Sequence, residues 1–211
     1  MIKTRRTVAT LLAIGATALT LSACGSVDTK ATADASASNA SIGTLANAST
    51  IKLHKGIINL TGDEWTVSVN GNTVGKVHGK ALSYLDTYSM TTPSGDLMGF
   101  EKERLTFFLH RASVFNAQAK QVGSINESFH LLTYKEAITD DEGNTIGTMD
   151  EHIALTKHGS IVAPNGQVAW SFSKALISLS DSYTLKRGPA AAQVPVMDAV
   201  WSVMIFNEAD S

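Results

Sequence analysis

From Ile51 onward, apolar and polar residues alternate along the chain within a longer period of about 24 residues. Gly75, Gly99, Gly123 and Gly147 stand 24 residues apart, and Ala169 follows 22 later. Each comes after a turn and an aliphatic residue. Asn70-Gly71-Asn72 precedes Val74, Ser94-Gly95 precedes Leu97 and Met98, and Gln118 to Gln121 precede Val122. Glu142-Gly143-Asn144 then precedes Ile146, and Pro164-Asn165-Gly166 precedes Val168. Asn-Gly and related pairs supply the positive φ angles that tight hairpins demand. Six residues beyond these markers lie Ala81, Leu105, Phe129, Ile153 and Ala175, all apolar; five beyond lie Lys80, Arg104, Ser128, His152 and Lys174, all polar. Adjacent columns of opposite character are what the two faces of a strand produce. A further apolar position, Met90, Val114 or Ile138, closes the second strand of each unit, and Asp86–Met90 echoes Asp181–Leu185. In the second unit Glu101 and Glu103 alternate with Lys102 and Arg104, which leaves its register open.

Five such hairpins and a leading strand near Lys52–Leu60 predict a mainly β domain, an antiparallel barrel of about ten to twelve strands, because closure removes exposed sheet edges. The run Val194–Phe206 is apolar on all sides and, at about 13 residues, too short to span a bilayer. It predicts a buried C-terminal helix, with Asp198 placed to cap it. A final buried strand over Val200–Phe206 is the alternative.

The N-terminal quarter has a different character. A basic head, Met1 to Arg6, leads into an uncharged run from Thr7 to Ala23, the layout of an export signal. Leu21-Ser22-Ala23-Cys24 resembles the lipobox of bacterial lipoproteins, which implies a diacylglycerol on the Cys24 thiol and cleavage before it. Arg5-Arg6 also resembles a twin-arginine signal, but Thr7-Val8-Ala9 departs from that pattern and favours ordinary secretion. Localisation on the extracytoplasmic face of a membrane, held by the lipid, is the expectation. From Gly25 to Thr50 the chain is nearly all Ala, Ser, Thr, Asn, Gly and Asp, and such composition predicts a flexible tether over residues 24–50, reaching roughly 28 Å. The domain is expected to occupy residues 51–211.

Charge and chemistry narrow the function. Loss of residues 1–23 removes Lys3, Arg5 and Arg6 and takes the 17 basic residues down to 14, against 19 acidic. A balance of −5 disfavours nucleic acid as a partner. Cys24 is the only cysteine, so the exported domain is expected to lack disulfides, thiol nucleophiles and Cys-ligated metal. No HExxH, GxSxG, P-loop or dinucleotide motif is present. His54, His78, His110, His130, His152 and His158 lack a tight metal spacing, and Asp140-Asp141-Glu142 lacks the alternating ligands of a calcium loop. No catalytic residue, cofactor or metal site is therefore expected. The sharper candidate is a basic stripe. Lys76, His78 and Lys80 alternate along one strand, and the repeat sets Lys102 and Arg104 at the positions of His78 and Lys80. Such groups suit anionic head groups or an anionic envelope polymer; a solvated strand face beside Glu101 and Glu103 is the plainer reading.

Serial hairpins of the form apolar-x-x-x-x-Gly-x-apolar-Gly-x-apolar, a late Asp-x-Tyr strand and one short apolar C-terminal segment resemble the LURP-one-related and tubby C-terminal-like proteins over Ile51 to Asn207. The resemblance implies a barrel of about twelve strands around a single C-terminal helix, in a family whose members include phosphoinositide binders and related phospholipid scramblases. The lipobox departs from its cytoplasmic members. Three roles stay open: a non-catalytic lipoprotein module binding an envelope lipid, polymer or protein; a membrane-surface enzyme or phospholipid-moving protein; and a structural envelope protein.

Overall fold

The 24-residue repeat is a repeat of β-bulges. The computed structural model describes residues 29–56, 63–79, 87–106, 109–130, 133–152, 158–174 and 182–209. Helix α1 (Thr29–Asn47) leads into β1 (Thr50–Lys55), β2 (Glu64–Val69), β3 (Asn72–Gly79), β4 (Thr87–Thr91), β5 (Leu97–Thr106) and β6 (Leu109–Asn116). There follow β7 (Gln121–His130), β8 (Thr133–Asp140), β9 (Thr145–His152), β10 (His158–Val162), β11 (Val168–Lys174), β12 (Ser182–Arg187) and helix α2 (Val196–Ala209). Each strand pairs with its sequence neighbours, and β1 pairs with β12, so the twelve strands close an antiparallel barrel.

In the five hairpins the register slips by one residue at equivalent places. Val67 pairs with Gly75 while Ser68 pairs with Thr73, which leaves Val74 as the bulge. The same step leaves out Met98, Val122, Ile146 and Ala169. A bulge bends its strand and increases twist, the device that lets a sheet curl into a barrel. The repeated glycines come one residue later and pair with the buried Val67, Met90, Val114 and Ile138. At Gly123 a Cβ would run into the carbonyl oxygen of Thr139, so the close approach of β7 and β8 requires glycine there. The fifth unit shifts the expected alignment by one residue: Ala169 is the bulge, and Trp170 stands at the glycine position opposite Ile161. Its ring fills the barrel, and its Nε1 donates to Val194 O at 3.0 Å.

The hairpin loops share one construction. In the Thr92–Asp96, Asn116–Lys120, Asp140–Asn144 and Ala163–Gln167 loops, the first N–H donates to the fifth carbonyl at 2.8–3.0 Å, and the fourth N–H donates back to the first carbonyl at 2.9–3.2 Å. The fourth residue takes positive φ: Gly95, Gly143 and Gly166, but Ala119 at 59°. An L-residue in that region costs roughly 1 kcal/mol relative to glycine. Ala119→Gly should therefore raise stability by up to about 1 kcal/mol, read as a higher urea midpoint at unchanged slope; a lower midpoint would show that the lost side chain matters more than the relieved backbone. The first hairpin instead uses the two-residue turn Asn70-Gly71, both at positive φ, as the Asn-Gly pair predicts.

Inside the barrel runs α2. Val196, Ala199, Val200, Trp201, Val203, Met204 and Ile205 are all at most 6% exposed, so this helix has no solvated side over that stretch. It enters from the hairpin end, where Met197 Cε lies 3.6 Å from a Cβ built on Gly99, and leans on β6, β7 and β8. Its expected cap is corrected. The helix begins at Val196, directly after Pro195, so Asp198 lies in the first turn instead of before it.

The expected tether is also corrected, for residues 29–47. They form α1, which packs against β3, β5 and α2. Leu45 is fully buried, Ala48 and Ser38 nearly so. Arg187 Nη1 donates to Ala46 O, its guanidinium lies 5.7 Å above Trp170, and its backbone N–H donates to Ser49 O at 2.9 Å. Composition argues for disorder because α1 has no apolar stripe; a few tertiary contacts at its C-terminal end hold it across the barrel mouth. Cys24 and the expected export signal lie outside the described residues.

Candidate functional site

The hairpin β5–β6 sorts charge by sign. Glu101 and Glu103 point into the barrel and are 1% and 4% exposed, whereas Lys102 between them lies on the outer wall. Glu127 on β7 and Glu136 on β8, directly opposite one another in the ladder, are likewise turned inward. All four glutamates engage other groups there. The plainer reading of the basic stripe placed Glu101 and Glu103 beside Lys102 on a solvated face; the ladder removes them from it.

Among the described residues, the outer wall of β5 and β6 therefore carries cations without nearby anions. Phe100 and Phe115 pair across β5 and β6 and stack on that wall, with centroids 4.7 Å apart and planes 8° from parallel. Lys102 Nζ sits 5.7 Å and 5.3 Å from the two ring centroids. Cations are attracted to ring faces, and the lysine stem adds apolar cover to the half-buried rings. One step along the ladder, Lys102 pairs with Ser113; two residues further, Arg104 pairs with Arg111. Arg111 is exposed. Among the described side chains on the outer faces of β4, β5, β6 and β7 there is no carboxylate. Residue periodicity within the 24-residue unit missed Arg111, because it lies in the returning strand. The hairpin register, once known, puts it opposite Arg104.

The stripe expected on β3 is only partly joined to this wall. Lys76 and His78 are exposed on the outer face of β3, and Lys76 Nζ lies 4.0 Å from Glu64 Oε1. His78 pairs with Ser89 and Ser89 with Phe100, so β4 separates them from β5 with Thr87, Ser89 and Thr91. Two strand spacings make that gap about 10 Å. Lys80 and the side chain of Arg104 lie outside the described residues.

Other charged features have local roles. Asp140 Oδ1 accepts from the backbone N–H groups of Glu142 and Asn144 at 3.0 and 2.8 Å, and its Oδ2 accepts from Asn144 Nδ2 at 3.0 Å. The side-chain bond from Asn144, with these backbone donors, holds the carboxyl below its usual range. Asp141 pairs with Lys120 at 3.0 Å. The acidic turn is thus a loop-closing device. Inside the barrel, Lys55 pairs with Asp63 at 2.6 Å and lies 5.6 Å above Trp65. His54 Nδ1 and Ser182 Oγ are 2.7 Å apart. Among the described residues, no group of three or more His, Cys, Asp or Glu side chains is arranged to hold a metal ion, and no helix is long and apolar enough to cross a membrane.

The architecture is that of a closed twelve-stranded barrel wrapped around its C-terminal helix. No family model matches the chain, and no curated protein matches it.

Proposed function

We propose that the protein is a lipoprotein anchored through Cys24 on the extracytoplasmic side of the membrane, and that its tubby-like barrel is a non-catalytic module binding an anionic component of the cell envelope. The observation that carries this reading is the sorting of charge across β5 and β6. A chain with an acidic balance buries Glu101, Glu103, Glu127 and Glu136 and shows Lys102 and Arg111 on an outer wall. Exposed cations attract anions at a range set by salt, about 10 Å at 0.1 M. The filled interior supports binding at the wall in preference to a cavity, since α2 occupies the middle of the barrel.

Capture from an envelope extract tests the reading. Full-length protein is expected to enrich an anionic lipid, polymer or protein that elutes as salt rises, and Lys102→Gln with Arg111→Gln should lose most of the capture while melting at the parent temperature. Exposed charges contribute little to stability, so a change in melting would not be confused with a change in binding. Equal, salt-insensitive capture by parent and variant would overturn it.

A further inference from the structure

The position of α1 relates the anchor to the charged wall. The helix must end beside β1, because only Ala48 and Ser49 separate Asn47 from that strand. It passes the β2–β3 turn, where Ala40, Gly43, Thr44 and Asn47 border a cleft of about 500 Å³ with Val69 and Asn70. It also packs on β3, on β5 and on α2. The chain therefore crosses the barrel mouth from the β5 side to the β1 side. Four strand spacings along the wall from β1 to β5 amount to roughly 19 Å, while 19 helical residues span about 28 Å. The N-terminal part of α1 thus reaches at least as far as the β5 rim. Five Cα steps, at most about 17 Å, then separate Thr29 from Cys24.

On that rim and below it lies a surface of membrane-interface composition. Leu97, at the start of β5, is 37% exposed and is the one large apolar side chain left exposed among the described residues. Phe100 and Phe115 come next, then Lys102, then Arg111. Aromatic side chains followed by cations suit the head-group layer of an anionic bilayer, where each cation near the surface strengthens contact about fivefold.

We infer that the outer wall of β5–β6 seats on the anionic membrane surface that holds the Cys24 lipid, with α1 acting as the arm that brings this wall, and not another, to the bilayer. The inference rests on the anchoring proposed above and specifies the partner of the same wall. A second contribution comes from the short link itself: an anchor within about 17 Å of α1 keeps the wall at high effective concentration near the lipid. Weak contacts then suffice.

Cys24 is the only cysteine and its sulfur is alkylated in the lipidated full chain, so a single cysteine can be introduced and labelled. Ser113→Cys reports from the β5–β6 wall, and Thr148→Cys reports from an exposed site on β9. Each labelled protein is placed in neutral vesicles and in vesicles containing anionic phospholipid, with a nitroxide head-group quencher in both. Flotation with both vesicle types establishes that the chain is anchored. Given flotation, the Ser113 label should be quenched strongly on anionic vesicles and weakly on neutral ones, with the Thr148 label weakly quenched on both. Lys102→Gln with Arg111→Gln should remove the difference, since two charges together account for roughly a twenty-five-fold preference. Equal quenching at the two positions, or quenching indifferent to lipid charge, would overturn the seating while leaving the anchor intact. Failure to float at all would overturn the anchored reading on which the seating depends.

Discussion

Asp198→Asn is expected to stabilise the protein at pH 8 by several kcal/mol and to leave it little changed at pH 4. Asp198 is 3% exposed in the first turn of α2. Burial pushes its carboxyl up to about 7 from an ordinary 3.8. The positive end of the helix favours a carboxylate there by about 0.3–1 kcal/mol, up to roughly 2, which falls short of the desolvation. In the unfolded chain the group ionises near 3.8, while in the folded chain it stays protonated until about 7. Between those values the folded state binds the extra proton, so this group's contribution to stability falls as pH rises and levels off above about 7. A three-unit shift corresponds to roughly 4 kcal/mol. Asparagine cannot ionise, so denaturant unfolding of the variant should lose this slope. Parallel stability curves for the two proteins between pH 4 and 8 would mean that Asp198 is solvated or paired.

Trp201→Ala should cost about 3–5 kcal/mol through lost burial and the cavity left behind. Its side chain is fully buried in the helix that fills the barrel. The indole Nε1 has no hydrogen-bond partner among the described residues, so the ring is held by packing. Trp201→Phe should then cost less than the alanine change, since it keeps most of the apolar contact and removes an unpaired donor. Chemical unfolding of the pair decides this. An alanine variant within about 1 kcal/mol of the parent would place Trp201 outside the cooperative core.

The hairpins were legible because each carries two independent marks with the same period. In four hairpins the loop needs a residue at positive φ four places in, and in all five the bulge holds an aliphatic residue packed on or against the core. Thr92, Asn116 and Asp140 open their loops at 24-residue intervals, and Val74, Met98, Val122 and Ile146 form the bulges at the same spacing. The fifth unit misled the alignment because Trp170 replaces glycine, and an aromatic ring that fills the core leaves no glycine to mark the place. Helix α1 was missed for a different reason. Its sequence has no apolar stripe, and what orders it, Leu45 in the core and Arg187 on the Ala46 carbonyl, comes from distant parts of the chain.

The candidate wall was half legible. Alternating Glu and Lys on β5 announces two faces but cannot say which one looks inward, since a one-residue shift exchanges them. The ordinary rule that carboxylates stay in water points to the wrong answer. The bulge at Met98 sets the phase, turning Glu101 and Glu103 in and Lys102 out. Arg111 is brought to the wall by pairing across the β5–β6 hairpin, and the stacking of Phe100 on Phe115 depends on the same register.

A basic outer wall and a helix lying over its rim gain their proposed meaning from the lipid proposed on Cys24. Metabolic labelling of the full chain with a fatty acid, in a bacterium that processes lipoproteins, tests that link directly. The parent protein should carry label and fractionate with membranes, while Cys24→Ala should carry none and retain its export signal. Label on the alanine variant, or none on the parent, would contradict the account.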